Sequence, residues 1–244
     1  MESFDPLDGA LLVDKPVGPT SHDVVDRIRR HFAIKKVGHA GTLDPNASGL
    51  LIILLGRGTR LSEKLMADDK VYAGTIKFGE TTGSYDADGK ILETRPVPPL
   101  TVEELNALAT AFVGDQLQTP PMVSAVKVQG VPLYKLARKG MEVERKPRLI
   151  HVYNFTFSRY HAPLAEFRLA CTKGTYVRSI VHDLGQKVGC GAHLAGLRRL
   201  VSGRFDAADS LSLSELLKLS PGELQTRVIS FLSLAAASAV SRNG

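Results

Sequence analysis

The pattern of apolar residues along the chain predicts strands at several separate places. An unbroken apolar run, LLIILL at residues 50–55, has the length and composition of a strand buried on both faces. A shorter apolar run over 10–13 predicts a second buried strand. Residues 70–78 alternate between two sets of side chains, as do 149–157 and 165–171, which predicts strands with two different faces.

Capping residues mark where helices begin. Thr20 and Asp23 have the spacing of a capping box, in front of a helix whose apolar side chains recur on one face. Thr101 and Glu104 repeat this spacing before a second helix. A third helix is predicted over 180–188, where apolar residues recur at helical spacing up to a glycine.

The remaining segments are predicted to be mainly irregular. Residues 79–89 are rich in Gly, Thr, Ser and Asp and predict a loop. Residues 123–148 predict an exposed basic arm, with one short helix over 133–139. A last short helix opens at Ser212, before a tail of small residues. Strands and helices intermix without strict βαβ order, which favours a mixed α/β or α+β sheet over a Rossmann or barrel fold.

Basic charge is concentrated in parts of the chain. Lysine and arginine total 31 against 25 aspartates and glutamates, a net charge of +6. Residues 127–148 hold seven basic and two acidic side chains, and 27–36 hold five basic and none acidic. Such clustering indicates a polyanion-binding face, although a solvated surface explains any one cluster equally well.

The composition also bears on the cellular compartment. No apolar run is long enough for a membrane span, and the first residues do not resemble a secretory signal. Two cysteines are too few for a disulfide framework or a zinc cluster. We therefore expect a cytoplasmic protein, and we expect a monomer because no extended apolar surface pattern demands a partner.

Several common catalytic motifs are absent from the sequence. The stretch GHAGTLDP lacks the Gly-Lys-Ser/Thr of a phosphate loop, and neither G-x-G-x-x-G after a strand nor G-x-S-x-G occurs. No two histidines are four residues apart, so the sequence predicts no metal site. His182 and Asp183 indicate an ordinary helix pair rather than metal ligands.

The candidate for chemistry is Asp44. Pro45 favours an extended backbone at Asp44, while Gly41 and Gly49 permit a ligand to approach the loop closely. Such a loop can hold a carboxylate in a cleft. An Asp-Pro pair considered alone is nevertheless more often a simple turn, so this motif needs support from the rest of the chain.

That support comes from a resemblance to a known family. GHAGTLDPNASGLLIILLGRGT resembles the signature of the TruB-type tRNA pseudouridine-55 synthases. LLVDKPVGPTSHDVV, DKVYAGTIKFG and TPPMVSAVKVQGVPLYKLARKG resemble the family's opening motif, tyrosine strand and RNA-clasping insertion. KGTYVRSIVHDLG and AHLAGLRRLVSGRF complete the order. The match runs from about residue 11 to 205, and its ordered motifs are far more specific together than any one alone.

The resemblance implies a fold and a reaction. The fold would be α+β, with a mixed, mainly antiparallel central sheet, flanking helices and an inserted basic arm at about 123–148 that clasps RNA. The reaction would convert uridine to pseudouridine in the T loop of tRNA, at position 55, without cofactor or metal. The substrate would be the T stem-loop, and the target base would have to leave its stack.

The resemblance also assigns residues. Asp44 would be the catalytic carboxylate, whether it attacks the base or the ribose or assists glycosidic cleavage. Arg178 would pair with Asp44 and lower its pKa. Tyr72 would stack on the target base and is a candidate for handling the migrating proton. Tyr176 would line the same pocket, and Leu197 would form its apolar wall.

Three further residues would contact the RNA. His39 matches the family histidine that wedges into the space vacated by the extruded base. Lys127 and Arg138, in the basic arm, would contact phosphates, although any lysine of the arm could do the same. A lone loop histidine is usually just exposed, but His39 lies five residues before Asp44, which favours the functional interpretation.

The sequence also predicts a domain organisation, and it leaves two other functions open. Residues 1–205 would form the catalytic domain and 206–244 a short C-terminal extension, without the PUA-type RNA-binding module of most family members. One rival is a non-catalytic protein that binds and refolds tRNA, and the other is a pseudouridine synthase that acts on another RNA. The presence of Asp44, Tyr72 and Arg178 together favours an enzyme over the first rival. The lack of basic extensions and of a C-terminal module argues against the second.

Overall fold

The computed structural model describes residues 5–124, 126–128, 130–137 and 139–240. The strands are β1 Gly9–Lys15, β2 Val37–Ala40, β3 Ala47–Leu55, β4 Lys70–Phe78, β5 Glu80–Thr82, β6 Ile91–Thr94, β7 Gly114–Gln118, β8 Lys127–Val128, β9 Val131–Pro132, β10 Arg148–His161, β11 Leu164–Cys171, β12 Ala192–Ser202, β13 Phe205–Asp206, β14 Leu211–Ser212 and β15 Ile229–Ser230. The helices are α1 Ser21–His31, α2 Ser62–Met66, α3 Val102–Ala109, α4 Leu133–Ala137, α5 Val177–Val188, α6 Leu213–Leu216, α7 Pro221–Arg227 and α8 Phe231–Val240.

The chain divides into two compact units. Unit 1 contains the described residues up to Lys70 and those from Arg198 onward, and unit 2 contains Val71–Leu197. Strand β12 crosses this boundary, so its first residues belong to unit 2 and its later residues to unit 1.

The sheet of unit 1 is built around β3. Strand β1 pairs antiparallel with β3 from Gly9 opposite Leu55 to Lys15 opposite Gly49. Strand β2 pairs antiparallel with the last residues of β3, and β14 and β15 pair with β1. Every side chain over 50–55 is fully buried, so the prediction of a doubly covered strand is confirmed. Burial of this run stabilises the fold by roughly 1.5–3 kcal/mol per side chain.

Helix α1 covers this sheet with one apolar face. The predicted capping box is present, because the Thr20 hydroxyl accepts from the Asp23 N–H and the Asp23 carboxylate accepts from the Thr20 N–H. Val24, Val25 and Ile28 are the buried apolar side chains, while the arginines of the helix are exposed. Burial of this apolar face fixes the position of α1, and therefore of its N-terminus, within unit 1.

Unit 2 holds a second set of antiparallel strands. Four strands lie in the order β4, β11, β10, β7. Strand β10 pairs antiparallel with both of its neighbours, β11 and β7. Helix α3 packs on β10, where the Asn106 side chain exchanges two hydrogen bonds with the backbone of Phe157, at 2.8 and 3.1 Å. Helix α5 ends at Gly189, whose φ of +93° is left-handed.

Three predicted elements differ from the structure. Residues 79–89 are not all loop, since β5 pairs with β6 within and beside them. The predicted helix over 133–139 is shorter, at Leu133–Ala137. The helix after Ser212 is present as α6, but it is not the last, because α7 and α8 follow.

The fold class is confirmed. The protein is a mixed α+β structure with mostly antiparallel sheet and flanking helices. The basic arm over 123–148 and the domain boundary at residue 205 stay predictions. No helix in the described ranges is both long enough and apolar enough to cross a membrane.

Candidate active site

The loop that carries Asp44 joins β2 to β3, and a buried serine holds it just before Asp44. The Ser21 hydroxyl accepts a hydrogen bond from the Leu43 N–H at 2.8 Å and donates one to the Leu43 carbonyl at 3.0 Å. Ser21 is 2% exposed and opens α1. Since both backbone groups of Leu43 are bound by one fixed side chain, the residue before Asp44 has little freedom.

The loop is held again just after Asp44. The Pro45 carbonyl accepts hydrogen bonds from the Gly18 N–H at 2.9 Å and from Lys15 Nζ at 3.3 Å. The Ala47 N–H donates to the Asp44 carbonyl at 3.0 Å and closes the turn into β3. Asp44 itself is half-buried. Its side chain therefore projects from a backbone that is restrained on both sides.

Lys15 is a fully buried cation beside this loop. Besides Pro45, its Nζ donates to the carbonyls of Pro16 at 2.9 Å and Pro19 at 2.8 Å, so it ties the two proline-containing loops together. Burial lowers the pKa of Lys15 from 10.5 to about 8, and the negative charges of Asp44 and then Asp23 oppose that shift. The carboxylate of Asp44 thus lies in the field of a buried ammonium group.

The pH dependence of stability should report the Lys15 charge. Between pH 8 and 10.5 the unfolded chain still binds the Lys15 proton while the folded chain has lost it, so rising pH favours the folded state. We expect the free energy of unfolding of the wild type, relative to Lys15→Met, to rise by up to about 3 kcal/mol across this window. Urea unfolding at a series of pH values measures this difference, and a difference that is constant with pH would contradict it.

His39 lies in a strand rather than in the glycine-rich loop, which corrects the sequence-based placement. It belongs to β2 and is paired with Ile53 of β3, and its carbonyl accepts from the Ser62 hydroxyl at 3.2 Å. Burial, then the charges of Arg199 and His22, lower the pKa of His39 below its usual value. The imidazole is therefore neutral at pH 7, and a rigid hairpin carries it.

In unit 2, Arg178 is a buried arginine with several partners. It is 5% exposed, and its Nη1 lies 3.3 Å from Asp86 Oδ2 and 3.0 Å from the Ser84 carbonyl. Its Nη2 donates to the Val123 carbonyl at 2.9 Å. Arg178 therefore joins α5 to two separate loops of unit 2.

Asp86 is fixed in turn by its own loop. The Ser84 hydroxyl donates to Asp86 Oδ1, and the Asp88 N–H donates to the same oxygen at 3.2 Å. The intervening Tyr85 has a φ of +65° and stacks on His182 of α5, with ring centroids 3.9 Å apart. A non-glycine residue in this backbone region needs support from its surroundings, and the stack and the hydrogen bonds supply it.

Tyr176 marks the start of α5. Its N–H donates to Gln118 Oε1 at 2.7 Å, and its carbonyl accepts from Gln118 Nε2 at 3.1 Å. The helix begins at Val177, so Arg178 lies in its first turn. The Gln118 amide binds the backbone at the point where the chain enters the helix.

The other two expected pocket residues in unit 2 are half-buried. Tyr72 of β4 and Leu197 of β12 both pack against the hydrophobic core of unit 2. Their packing fits an apolar wall, although it is equally the ordinary environment of a strand residue. For Lys127 the structure describes only the backbone, which lies in β8. Arg138 lies outside the described residues.

Models of two protein families match consecutive parts of the chain. The model described as the N-terminal domain of TruB family pseudouridylate synthases matches residues 29–177. The model described as the tRNA pseudouridylate synthase B C-terminal domain matches residues 178–228. The chain belongs to the TruB family. The protein is therefore an enzyme, a pseudouridine synthase, and the resemblance seen in the sequence motifs is confirmed.

Relatives and solved structures agree with membership of the TruB family. The tRNA pseudouridine synthase B of Opitutus terrae is 57% identical over 91% of this chain and 92% of its own length. That of Syntrophotalea carbinolica is 47% identical over 88% of this chain and 70% of its own. A structure of a Cbf5-Nop10-Gar1 complex superposes with a TM-score of 0.74 at 25% identity, over 98% of this chain and 68% of that one.

The predicted site residues of this TruB-family chain are divided between the two units. Asp44 and His39 belong to unit 1, and Tyr72, Tyr176, Arg178 and Leu197 belong to unit 2. Their roles, and the ion pair expected between Asp44 and Arg178, stay predictions.

Residues that hold the site were missed in the sequence. Lys15, Ser21, Asp86 and Arg199 were not predicted, although all four lie in or near the motifs that carry the family resemblance. The contacts of Ser21 with Leu43, of Arg199 with Leu50 and of Asp86 with Arg178 join residues that are distant in sequence, so local patterns gave no signal for them. Lys15 alone had a usable signal, because a lysine that follows a buried apolar strand and precedes two prolines is poorly placed to reach solvent.

Proposed function

We propose that the protein isomerises a single uridine of tRNA, at position 55 of the T loop, to pseudouridine with Asp44 as the reacting carboxylate. The relatives named tRNA pseudouridine synthase B support the substrate class. The observation that supports Asp44 as this carboxylate is the restraint of its loop. Ser21 binds the loop backbone before Asp44, and Lys15 and Gly18 bind it after Asp44. A restrained loop of this kind is what a positioned catalytic group needs.

The reaction balances without an external reagent. The bond between N1 of the base and C1′ of the ribose breaks, the base turns, and C5 of the same base bonds to C1′. C5 gives up its hydrogen as a proton, and N1 gains a proton. An ionised carboxylate can start this sequence by attack on the base or the ribose, or by assisting the cleavage, so Asp44 must be deprotonated in the working enzyme.

The other residues are assigned roles around that carboxylate. Arg178 pairs with Asp44 and keeps it ionised, since an arginine is charged at every working pH. Tyr72 stacks on the target base and takes part in moving the proton from C5. Tyr176 and Leu197 line the pocket that the base enters.

The RNA must be opened before the chemistry begins. Extruding a base from its stack costs a few kcal/mol, and His39 is proposed to occupy the space that the base leaves. A neutral imidazole on the β2–β3 hairpin suits this role, because a rigid planar ring can stack where the base had been. Lys127 and Arg138 are proposed to bind phosphates of the T arm, and the enzyme is proposed to act as a cytoplasmic monomer.

His39→Ala should separate base extrusion from chemistry. On an intact T arm we expect a loss of about 10- to 100-fold in turnover, because the vacated stack is no longer filled. On a T arm whose loop is already opened by mismatches, we expect a loss several-fold smaller. Single-turnover rates on the two substrates give the comparison, and equal losses on both would remove the wedge role.

Release of tritium from uridine distinguishes the three candidate functions. An unmodified T arm that carries 5-tritiated uridine is incubated with the protein in a buffer that contains a metal chelator and no added nucleotide. The proposed enzyme releases one equivalent of tritium to water, because C5 loses its hydrogen when the new bond forms. A protein that merely folds RNA releases none while it still binds the arm. A synthase for another RNA releases tritium from that RNA and not from the T arm.

A further inference from the structure

Arg199 is a buried arginine with an unusual set of partners. It lies in β12, is 1% exposed, and is among the largest fully buried side chains of the described protein. Its Nε donates to the Leu50 carbonyl at 2.7 Å, and its Nη2 donates to the Gly41 carbonyl at 3.0 Å. No carboxylate within the described ranges pairs with Arg199. Buried charges in proteins normally have an anionic partner, so this arrangement calls for a physical reason.

The two carbonyls lie on opposite sides of the loop that carries Asp44. Gly41 directly follows β2 and comes three residues before Asp44, while Leu50 is within β3. The guanidinium group therefore bridges the incoming and the outgoing chain of this loop. Its planar fork can hold both carbonyls at a fixed separation, which a flexible ammonium group cannot do.

Two glycines lie close to this arginine, Gly41 in the loop and Gly49 in β3. Gly41 has a φ of +92°, and a side chain there would come within 3.4 Å of Arg199 Nη1. Gly49 has a φ of +97°, and a side chain there would overlap the Arg199 carbonyl oxygen, at 2.3 Å. Glycine is thus required at Gly49 by the close approach of β12, and at Gly41 by the backbone conformation next to the guanidinium group.

The charge of Arg199 also acts on the hairpin. It is the second cause, after burial, of the low pKa of His39, so its field reaches the strand that leads into the Asp44 loop. Lys15 is a second buried cation beside the same loop, and its pKa responds to Asp44. The loop is therefore bordered by two buried positive groups, both of which donate to its backbone carbonyls.

We propose that Arg199 is a positioning residue for Asp44, which clamps the two ends of the β2–β3 loop through the Gly41 and Leu50 carbonyls and thereby fixes the placement of the carboxylate. The catalytic part of this inference rests on the proposed function. The clamp itself does not, because it concerns the geometry of unit 1 alone.

The test compares Arg199→Met and Arg199→Lys with the matched neighbour Arg198→Met. Arg198 is next in the strand, but it is partly exposed and pairs with the Asp14 carboxylate through two hydrogen bonds, at 2.9 and 2.7 Å. Three experiments are made on the full chain: steady-state kinetics on a T arm, which give kcat and KM, NMR titration for the His39 pKa, and hydrogen exchange of the amides at 42–49.

A clamp predicts a specific pattern. Arg199→Met should lower kcat by about 30-fold or more with KM changed less than about threefold, since two charge-assisted bonds to the loop are lost. It should also raise the His39 pKa and speed exchange at 42–49. Arg199→Lys should restore the His39 pKa, because the charge returns, but only part of kcat. Arg198→Met should leave kcat within about threefold of the wild type.

Other patterns overturn the proposal. A kcat near that of the wild type in folded Arg199→Met, or an equal loss in Arg198→Met, would show that the loop does not need the clamp. If Arg199→Met does not fold, Arg199→Lys decides: full kcat with unchanged exchange at 42–49 overturns the proposal. If the wild type forms no pseudouridine, the proposed function fails, whereas the His39 pKa and the loop exchange still test the clamp.

Discussion

Asp44→Asn is expected to remain folded and to bind the T arm, while pseudouridine formation falls at least about 10³-fold. Asparagine has nearly the same shape as aspartate, so Ser21, Gly18 and Lys15 should keep their bonds to the loop backbone. What is lost is the negative charge and one of the two carboxylate oxygens, on which the proposed reaction depends. Single-turnover kinetics, a thermal melt and an RNA-binding titration measure the three parts of this expectation.

Asp23→Asn is the matched control for this experiment. Asp23 is also an anion that raises the pKa of Lys15, but it caps α1 from an exposed position. We expect it to lose about 1 kcal/mol of stability from the weakened capping box and to keep its turnover within a few-fold. If Asp23→Asn lost as much activity as Asp44→Asn, the cause would be the charge balance around Lys15 and not the chemistry of Asp44.

Arg178→Lys should have the second-largest effect. The guanidinium group uses Nη1 for Asp86 and the Ser84 carbonyl and Nη2 for the Val123 carbonyl, in addition to its proposed bond with Asp44. A lysine keeps the charge but cannot hold these directions at once. We expect kcat to fall about 100-fold or more, because charge-assisted hydrogen bonds are worth roughly 1.5–3 kcal/mol each.

The same substitution at an exposed position gives its control. The side chain of Arg159 is 74% exposed, and its Nη1 lies 3.5 Å from Glu166 Oε1. Because exposed ion pairs contribute little, Arg159→Lys should change kcat less than about twofold. Turnover at the wild-type level in Arg178→Lys would show that neither the fork nor its partners are needed. A loss confined to thermal stability, with kcat preserved, would assign Arg178 to the architecture of unit 2 alone.

The sequence predicted those parts of the fold that depend on neighbours along the chain. The apolar run over 50–55 and the capping boxes at Thr20 and Thr101 were correctly interpreted, because burial on both faces and local hydrogen bonds leave local patterns. Helix α7 was missed even though Ser220 and Glu223 form the same capping box before it. The seven residues of α7, PGELQTR, contain a single leucine, so no helical periodicity of apolar residues supported the capping signal.

The support of the candidate site could not be predicted in this way. Arg199 and its partner Leu50 are 149 residues apart, and Arg178 and Ser84 are 94 apart. A single sequence holds no local record of such contacts. The placement of His39 was wrong for a related reason: β2 has four residues, and only its pairing with the buried end of β3 makes it a strand.

The central claim is tested most directly by mapping pseudouridine at every uridine of one whole unmodified tRNA transcript, after incubation with the wild type or with Asp44→Asn. The wild type should produce one pseudouridine, at position 55 of the T loop, and Asp44→Asn should produce none above background. Modification at any other uridine, at no uridine, or to the same extent with Asp44→Asn would contradict the account.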